Sequence, residues 1–127
     1  GTAMQEALLL GVGILKSRLL QERLDLGNHQ FVNYVRIHGD EGAAQMSVLA
    51  MHGFGTGLAV WASTLKALSQ ACSHIYAVDL PGHALSSETT AIGSGIGKLG
   101  LPPNVEDTEL LYLNVLEKWR ETLCERR

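Results

Sequence analysis

The stretch Met51-His52-Gly53-Phe54-Gly55-Thr56-Gly57 closes a short apolar run, Met46 to Met51. A second run, His74 to Val78, closes in Asp79-Leu80-Pro81-Gly82-His83-Ala84-Leu85-Ser86-Ser87. Apolar runs of this length that break abruptly at glycine turns read as buried strands with functional loops at their carboxyl ends. Between the two, Trp61, Leu65, Leu68 and Cys72 recur at offsets of 0, 4, 7 and 11, a helical stripe that can cover one face of a sheet. Strand, helix, strand at this spacing predicts a right-handed parallel crossover in an α/β fold with a mostly parallel sheet.

Upstream, Glu22 to Leu26 and Phe31 to His38 flank Gly27-Asn28-His29-Gln30, which predicts a hairpin with Phe31, Asn33, Val35 and Ile37 on one face. Met4 to about Leu20 is rich in Leu and Ala and reads as an amphipathic helix despite Gly11 and Gly13, giving a division into 1–20 (helix) and 21–127 (α/β part). With Lys16 and Arg18 as its basic residues and no aromatic anchor, this helix is expected to pack on its own domain rather than on a membrane. Downstream, 84–104 holds four glycines and Pro102-Pro103 without periodicity, and reads as a long mobile loop. Tyr112, Leu116, Trp119 and Leu123 then repeat the helical stripe on a helix from about Val105, with Glu106 and Asp107 in its first turn.

A chain of 127 residues, 46% hydrophobic, suffices for one modest domain with a real core. Ten Lys and Arg against thirteen Asp and Glu leave a net charge of -3, which excludes the broad positive face of a dedicated nucleic-acid binder. Cys72 and Cys124 lie 52 positions apart with no C-x-x-C, so neither a zinc site nor a disulfide framework is expected, and the thiols read as reduced in a cytoplasmic chain. The longest apolar run, Ala7 to Leu15, covers nine residues, about half of a bilayer-spanning helix, and lacks the basic flank of a signal peptide.

Taken together, M-H-G-F-G-T-G and Y-A-V-D-L-P-G-H-A-L-S-S, the latter at Tyr76 to Ser87, resemble the α/β-hydrolase superfamily in its N-terminal part. The resemblance implies that the backbone N–H of Phe54 is an oxyanion-hole donor, with His52, Gly53 and Gly55 forming the loop where substrate meets backbone. It gives Asp79, Gly82, His83 and Ser86 to a sharply turned loop that buttresses the site without doing chemistry. Ala84 stands where the family usually has glycine, so a strained turn is expected there. The N-terminal helix, the hairpin and L-E-K-W-R at Leu116 to Arg120 further resemble the branch of lysophospholipid and N-acylphospholipid hydrolases, plant acyltransferase-like lipases and lipid-droplet co-activators of triglyceride lipase. This similarity spans roughly Leu15 to Leu123.

What the resemblance implies is acyl hydrolysis or transfer on a lipid ester or amide, without cofactor or metal. It allows peripheral contact with a lipid droplet or endomembrane. In the family the nucleophilic serine, then Asp, then His follow the helix that ends this sequence, so the chain alone is expected to be inactive. A non-catalytic lipid-binding or co-activator protein, or a truncated inert isoform, are the alternatives. The resembled fold also puts Met46 to Met51 between the strand Ile75 to Asp79 and the nucleophile strand, so an unpaired edge and self-association are expected.

Other patterns are set aside. Gly93-Ser94-Gly95-Ile96-Gly97 has its serine second rather than third, and the G-x-G-x-x-G of Gly95 to Gly100 runs into Pro102-Pro103 where a dinucleotide fingerprint needs a helix. His74 and Asp79 form H-x-x-x-x-D, but an odd separation of five sends them to opposite faces of a strand. His52 and His83 are read as shaping their turns, because a base without a nucleophile does nothing.

Overall fold

A computed structural model describes residues 2–27, 29–53, 56–87 and 104–125. Its elements are helix α1 (Thr2–Gly11), strands β1 (Leu19–Gly27), β2 (Gln30–His38) and β3 (Ala44–Met51), helix α2 (Ala62–Ala71), strand β4 (Cys72–Val78) and helix α3 (Val105–Glu125). Short 3₁₀ turns, Lys16–Arg18 and Leu58–Trp61, lead into β1 and α2.

The four strands form one sheet in the order β1-β2-β4-β3. Its one parallel pair is β3 with β4; β1 with β2 and β2 with β4 are antiparallel. The class is α/β as expected, but this part of the sheet is not mostly parallel. The reason lies in connection length: the hairpin turn and the five-residue link 39–43 can only reverse the chain, and parallel pairing needs a crossover, which only β3-α2-β4 supplies. β3 skips one place, and β4 fills the gap.

Alternation along β2 and β4 builds two cores. Val35, Ile37, Ile75 and Ala77 pack with Leu9, Ile14, Leu58 and Leu65 beneath α1 and α2. On the opposite face Val32, Tyr34, Tyr76 and Val78 pack with Leu24, Leu26, Val115 and Trp119 of α3. The Trp119 ring meets Tyr34 and Tyr76 edge-on, with centroids 5.5 and 5.9 Å apart. Of the expected stripe of α3, Trp119 is buried and Leu116 and Leu123 pack against the same cluster, while Val115 joins it as a second buried residue and Tyr112 is only half-buried. Asn104 caps this helix, its side-chain oxygen accepting the Asp107 N–H at 2.8 Å.

The N-terminal helix stops nine residues before the expected Leu20. Gly13, at φ +97°, donates to Leu10 O, and Ile14 donates to Leu9 O; this Schellman end seals the last carbonyls and turns the chain toward β1. Leu9 and Ile14, the apolar pair such an end brings together, both lie in the core, so α1 is integral to the α/β unit. The helix after β3 begins as a 3₁₀ turn at Leu58, and Cys72 of the expected helical stripe already belongs to β4, two residues before the strand's expected start. Most of 84–104, expected as a mobile loop, lies outside the described residues, apart from 84–87 and Asn104. Among the described residues, no helix is long and apolar enough to cross a membrane.

Candidate functional site

Met51 and Val78 are register partners at the carboxyl ends of the parallel pair, so His52-Gly53 and Asp79-Leu80 leave the sheet side by side. Two buried side chains cross-brace these exits. His52 Nε2 accepts the Leu80 N–H at 2.8 Å, while Nδ1 lies 2.7 Å from Gly53 O. The neutral ring with its proton on Nδ1 satisfies both contacts, so neither nitrogen is left to move a proton. Thr56 closes the turn by donating its hydroxyl to the same Gly53 carbonyl at 2.8 Å.

Asp79, fully buried, is the second brace. Oδ1 accepts the Leu58 N–H at 2.7 Å; Oδ2 accepts Asn33 Nδ2 at 2.8 Å, Gln5 Nε2 at 3.1 Å and the Leu85 N–H at 3.1 Å. Among the described residues it has no ion-pair partner, so its charge is met by N–H donors alone. The carboxylate therefore ties four segments together: α1, β2, the far end of the His52 loop and its own loop.

That second loop is stitched to β2 beyond the end of β4. The Asp79 N–H donates to Asn33 O at 2.9 Å, and the Ser86 hydroxyl donates to Asp79 O at 2.6 Å while accepting the Asn33 N–H at 2.9 Å. Ser87 pairs with Phe31 through main chain and side chain. Gly82 (φ +78°) and Ala84 (φ +43°) make the sharp turn, and His83 Nδ1 lies 3.0 Å from Pro81 O. The expected strain at Ala84 is present: a β-carbon in the left-handed region costs on the order of 1 kcal/mol. Its methyl also fills the space over Gly57, where an added Cβ would sit 2.7 Å from Ala84 Cβ and 3.0 Å from Asp79 Oδ1.

The sequence-predicted residues His52, Gly53, Asp79, Gly82, His83 and Ser86 are thus gathered at one end of the sheet, and the His52 and His83 rings lie 5.1 Å apart. Phe54 and Gly55 fall outside the described residues, as do Gly93 to Gly100. His74 sits toward the other end of β4, its Nδ1 3.1 Å from Ser73 Oγ, beside a cavity of about 500 Å³ that is not part of this platform. Gln5 and Asn33 were not anticipated as site residues, although an asparagine among Phe31, Val35 and Ile37 on a buried face was a signal. Among the described residues, no three His, Cys, Asp or Glu side chains gather to hold a metal ion.

No protein-family model matches the chain. Over 80 residues, 63% of this chain and 16% of the relative, the sequence is 32% identical to the "Abhydrolase domain-containing protein abhd-5.2" of Caenorhabditis elegans. A putative lipase of Acinetobacter baumannii AYE superposes with a TM-score of 0.61 at 16% identity, covering 94% of this chain and 32% of that one. The chain has the fold of the N-terminal part of an α/β-hydrolase. The haloalkane dehalogenase DatA of Agrobacterium tumefaciens C58 has the same α/β-hydrolase fold, with a TM-score of 0.60 at 15% identity over 92% of this chain and 31% of that one. This chain therefore spans under a fifth of the curated relative's length and about a third of either solved α/β-hydrolase.

Proposed function

We propose that this chain supplies the oxyanion loop of a serine-hydrolase-type enzyme that hydrolyses or transfers the acyl group of a lipid ester or amide. The observation that carries the reading is the double brace. His52 fixes the start of the loop through Leu80, and Asp79 fixes its end through Leu58, so both anchors of the loop are set before substrate arrives. Space beside Gly53 supports it, since a Cβ built there meets nothing within 4 Å among the described residues. The lipid class draws on the resemblance to the lysophospholipid branch and on the "putative lipase" among the structural neighbours.

In this reading a serine outside these residues attacks the carbonyl carbon. The negative charge that forms on the carbonyl oxygen is met by the Phe54 N–H and by the amide following the nucleophile. Neither His52, whose two nitrogens are engaged, nor Asp79, whose oxygens are both occupied, transfers a proton. The chain by itself is inactive and self-associates along β3, and its protein works in the cytoplasm or at a lipid surface.

The test is turnover of a short-chain nitrophenyl ester and of a lysophospholipid by the purified chain and by the full-length protein carrying it. Activity confined to the full-length protein is expected. Turnover by the chain alone, or a full-length protein that binds lipid without turnover, would overturn the reading, the second result favouring the co-activator alternative.

A further inference from the structure

We infer that Gln5 of α1 is a positioning residue for Leu58, the far anchor of the loop that follows β3, acting through the carboxylate of Asp79. The inference rests on the reading above only for what the loop does. Gln5 is buried near the amino end of a helix whose outer face leaves Met4 and Leu8 in solvent, and its amide is held at both ends. Oε1 accepts Gln21 Nε2 at 2.6 Å and Asn33 Nδ2 at 3.0 Å, which leaves Nε2 to donate to Asp79 Oδ2 at 3.1 Å. Gln21 and Asn33 are neutral, so Asp79 is the titratable partner of this amide.

The consequence lies on the other side of the carboxylate. A carboxyl group is planar, so the direction of Oδ2 fixes the direction of Oδ1, and Oδ1 holds the Leu58 N–H. Gln5 and Asn33 pull on Oδ2 from α1 and β2, while Leu58 and Leu85 hang from the group on the two site loops. A helix outside the β3-α2-β4 crossover thereby sets where the far anchor of the loop stands. A packing role alone would need only an apolar side chain of this size, and Leu9, one turn on, already provides the buried anchor.

Amide hydrogen exchange on the purified chain tests this. Gln5→Leu keeps the volume and removes the donor; Leu58 and Leu85 should exchange about tenfold faster or more, with Val35 and Ala77 in the strands unchanged. Gln5→Glu separates the hydrogen bond from packing. At neutral pH two carboxylates would face each other and the Leu58 amide should lose protection; in acid, one proton held between them restores a donor to Asp79 and the protection returns. Should Gln5→Leu loosen the whole domain, the Gln5→Glu profile decides alone. Leu58 exchange that matches wild type in Gln5→Leu, or that follows the wild-type pH profile in Gln5→Glu, would overturn the inference. Because exchange is read without turnover, that failure is distinct from a failure of the proposed activity.

Discussion

The two parallel strands end side by side, yet their surroundings differ sharply. Around the exit of β4, the carboxylate, main chain and hydroxyls of Asp79, Ser86 and Ser87 are paired with β2, α1 and the neighbouring loop. Along β3, by contrast, Met46, Leu49 and Met51 are 55, 42 and 49% exposed, and among the described residues the strand pairs on one side only. Polar groups are buried where the fold needs a fixed geometry, and apolar groups are exposed where it has an open edge. The first pattern positions a loop; the second invites another strand.

The largest effect should come from removing the brace. Asp79→Ala leaves three buried donors and one half-buried donor without this acceptor and should cost about 3–5 kcal/mol in a denaturant titration, or prevent folding. A loss near 0.5 kcal/mol would mean that solvent reaches the cluster and that the contrast with β3 is false.

The edge should respond in the opposite sense. The chain is expected to self-associate at roughly tens of micromolar, and a Met46→Lys, Leu49→Lys double variant should restore the monomer while changing stability by less than about 1 kcal/mol, because both positions face solvent. Light scattering that finds wild type and variant equally monomeric would remove the edge from the account.

A smaller gain is expected at the strained turn. Ala84→Gly relieves the left-handed backbone at φ +43° and loses some unfolded-state restriction, for a net stabilisation of about 0.5–1 kcal/mol by thermal melting. Gly57→Ala should destabilise instead, since its new methyl meets Ala84 and Asp79.

The least effect belongs to the exposed pair on α3. Arg120 hydrogen-bonds Glu117 and holds its carboxyl below the usual range. A group whose folded value is lowered contributes above its ordinary value and loses that contribution as pH falls through the lowered one, so Glu117→Gln should erase a slight acid-side dependence of the melting temperature and little else. A large change would mean that α3 depends on a surface contact rather than on Trp119.

Much of this organisation was legible in the sequence because it is periodic or punctuated. Hairpin, crossover and the capped helix announce themselves through alternation, the 0-4-7-11 stripe and the acidic first turn. The sheet's mixed direction was misread because strand direction depends on link lengths between neighbours, not on the strands themselves. The early end of α1 was missed because helix propensity summed over Leu and Ala outweighed Gly13, whereas in the fold one left-handed residue with a paired Leu9 and Ile14 ends the helix. Loop residues His52 and Asp79 stood out by their local pattern. Gln5 and Asn33 did not, since their partners lie 74 and 46 positions away in sequence.

Under the proposed function, the main-chain N–H of Phe54 stabilises the transition state. The most direct measurement compares Phe54→Pro with Phe54→Ala in the full-length protein, reading kcat and KM for an ester substrate. Proline deletes the donor and alanine keeps it, so kcat should fall roughly 100-fold or more for proline and stay near-parental for alanine, with similar KM in all three. Equal kcat in the proline and alanine variants, both folded, would contradict it.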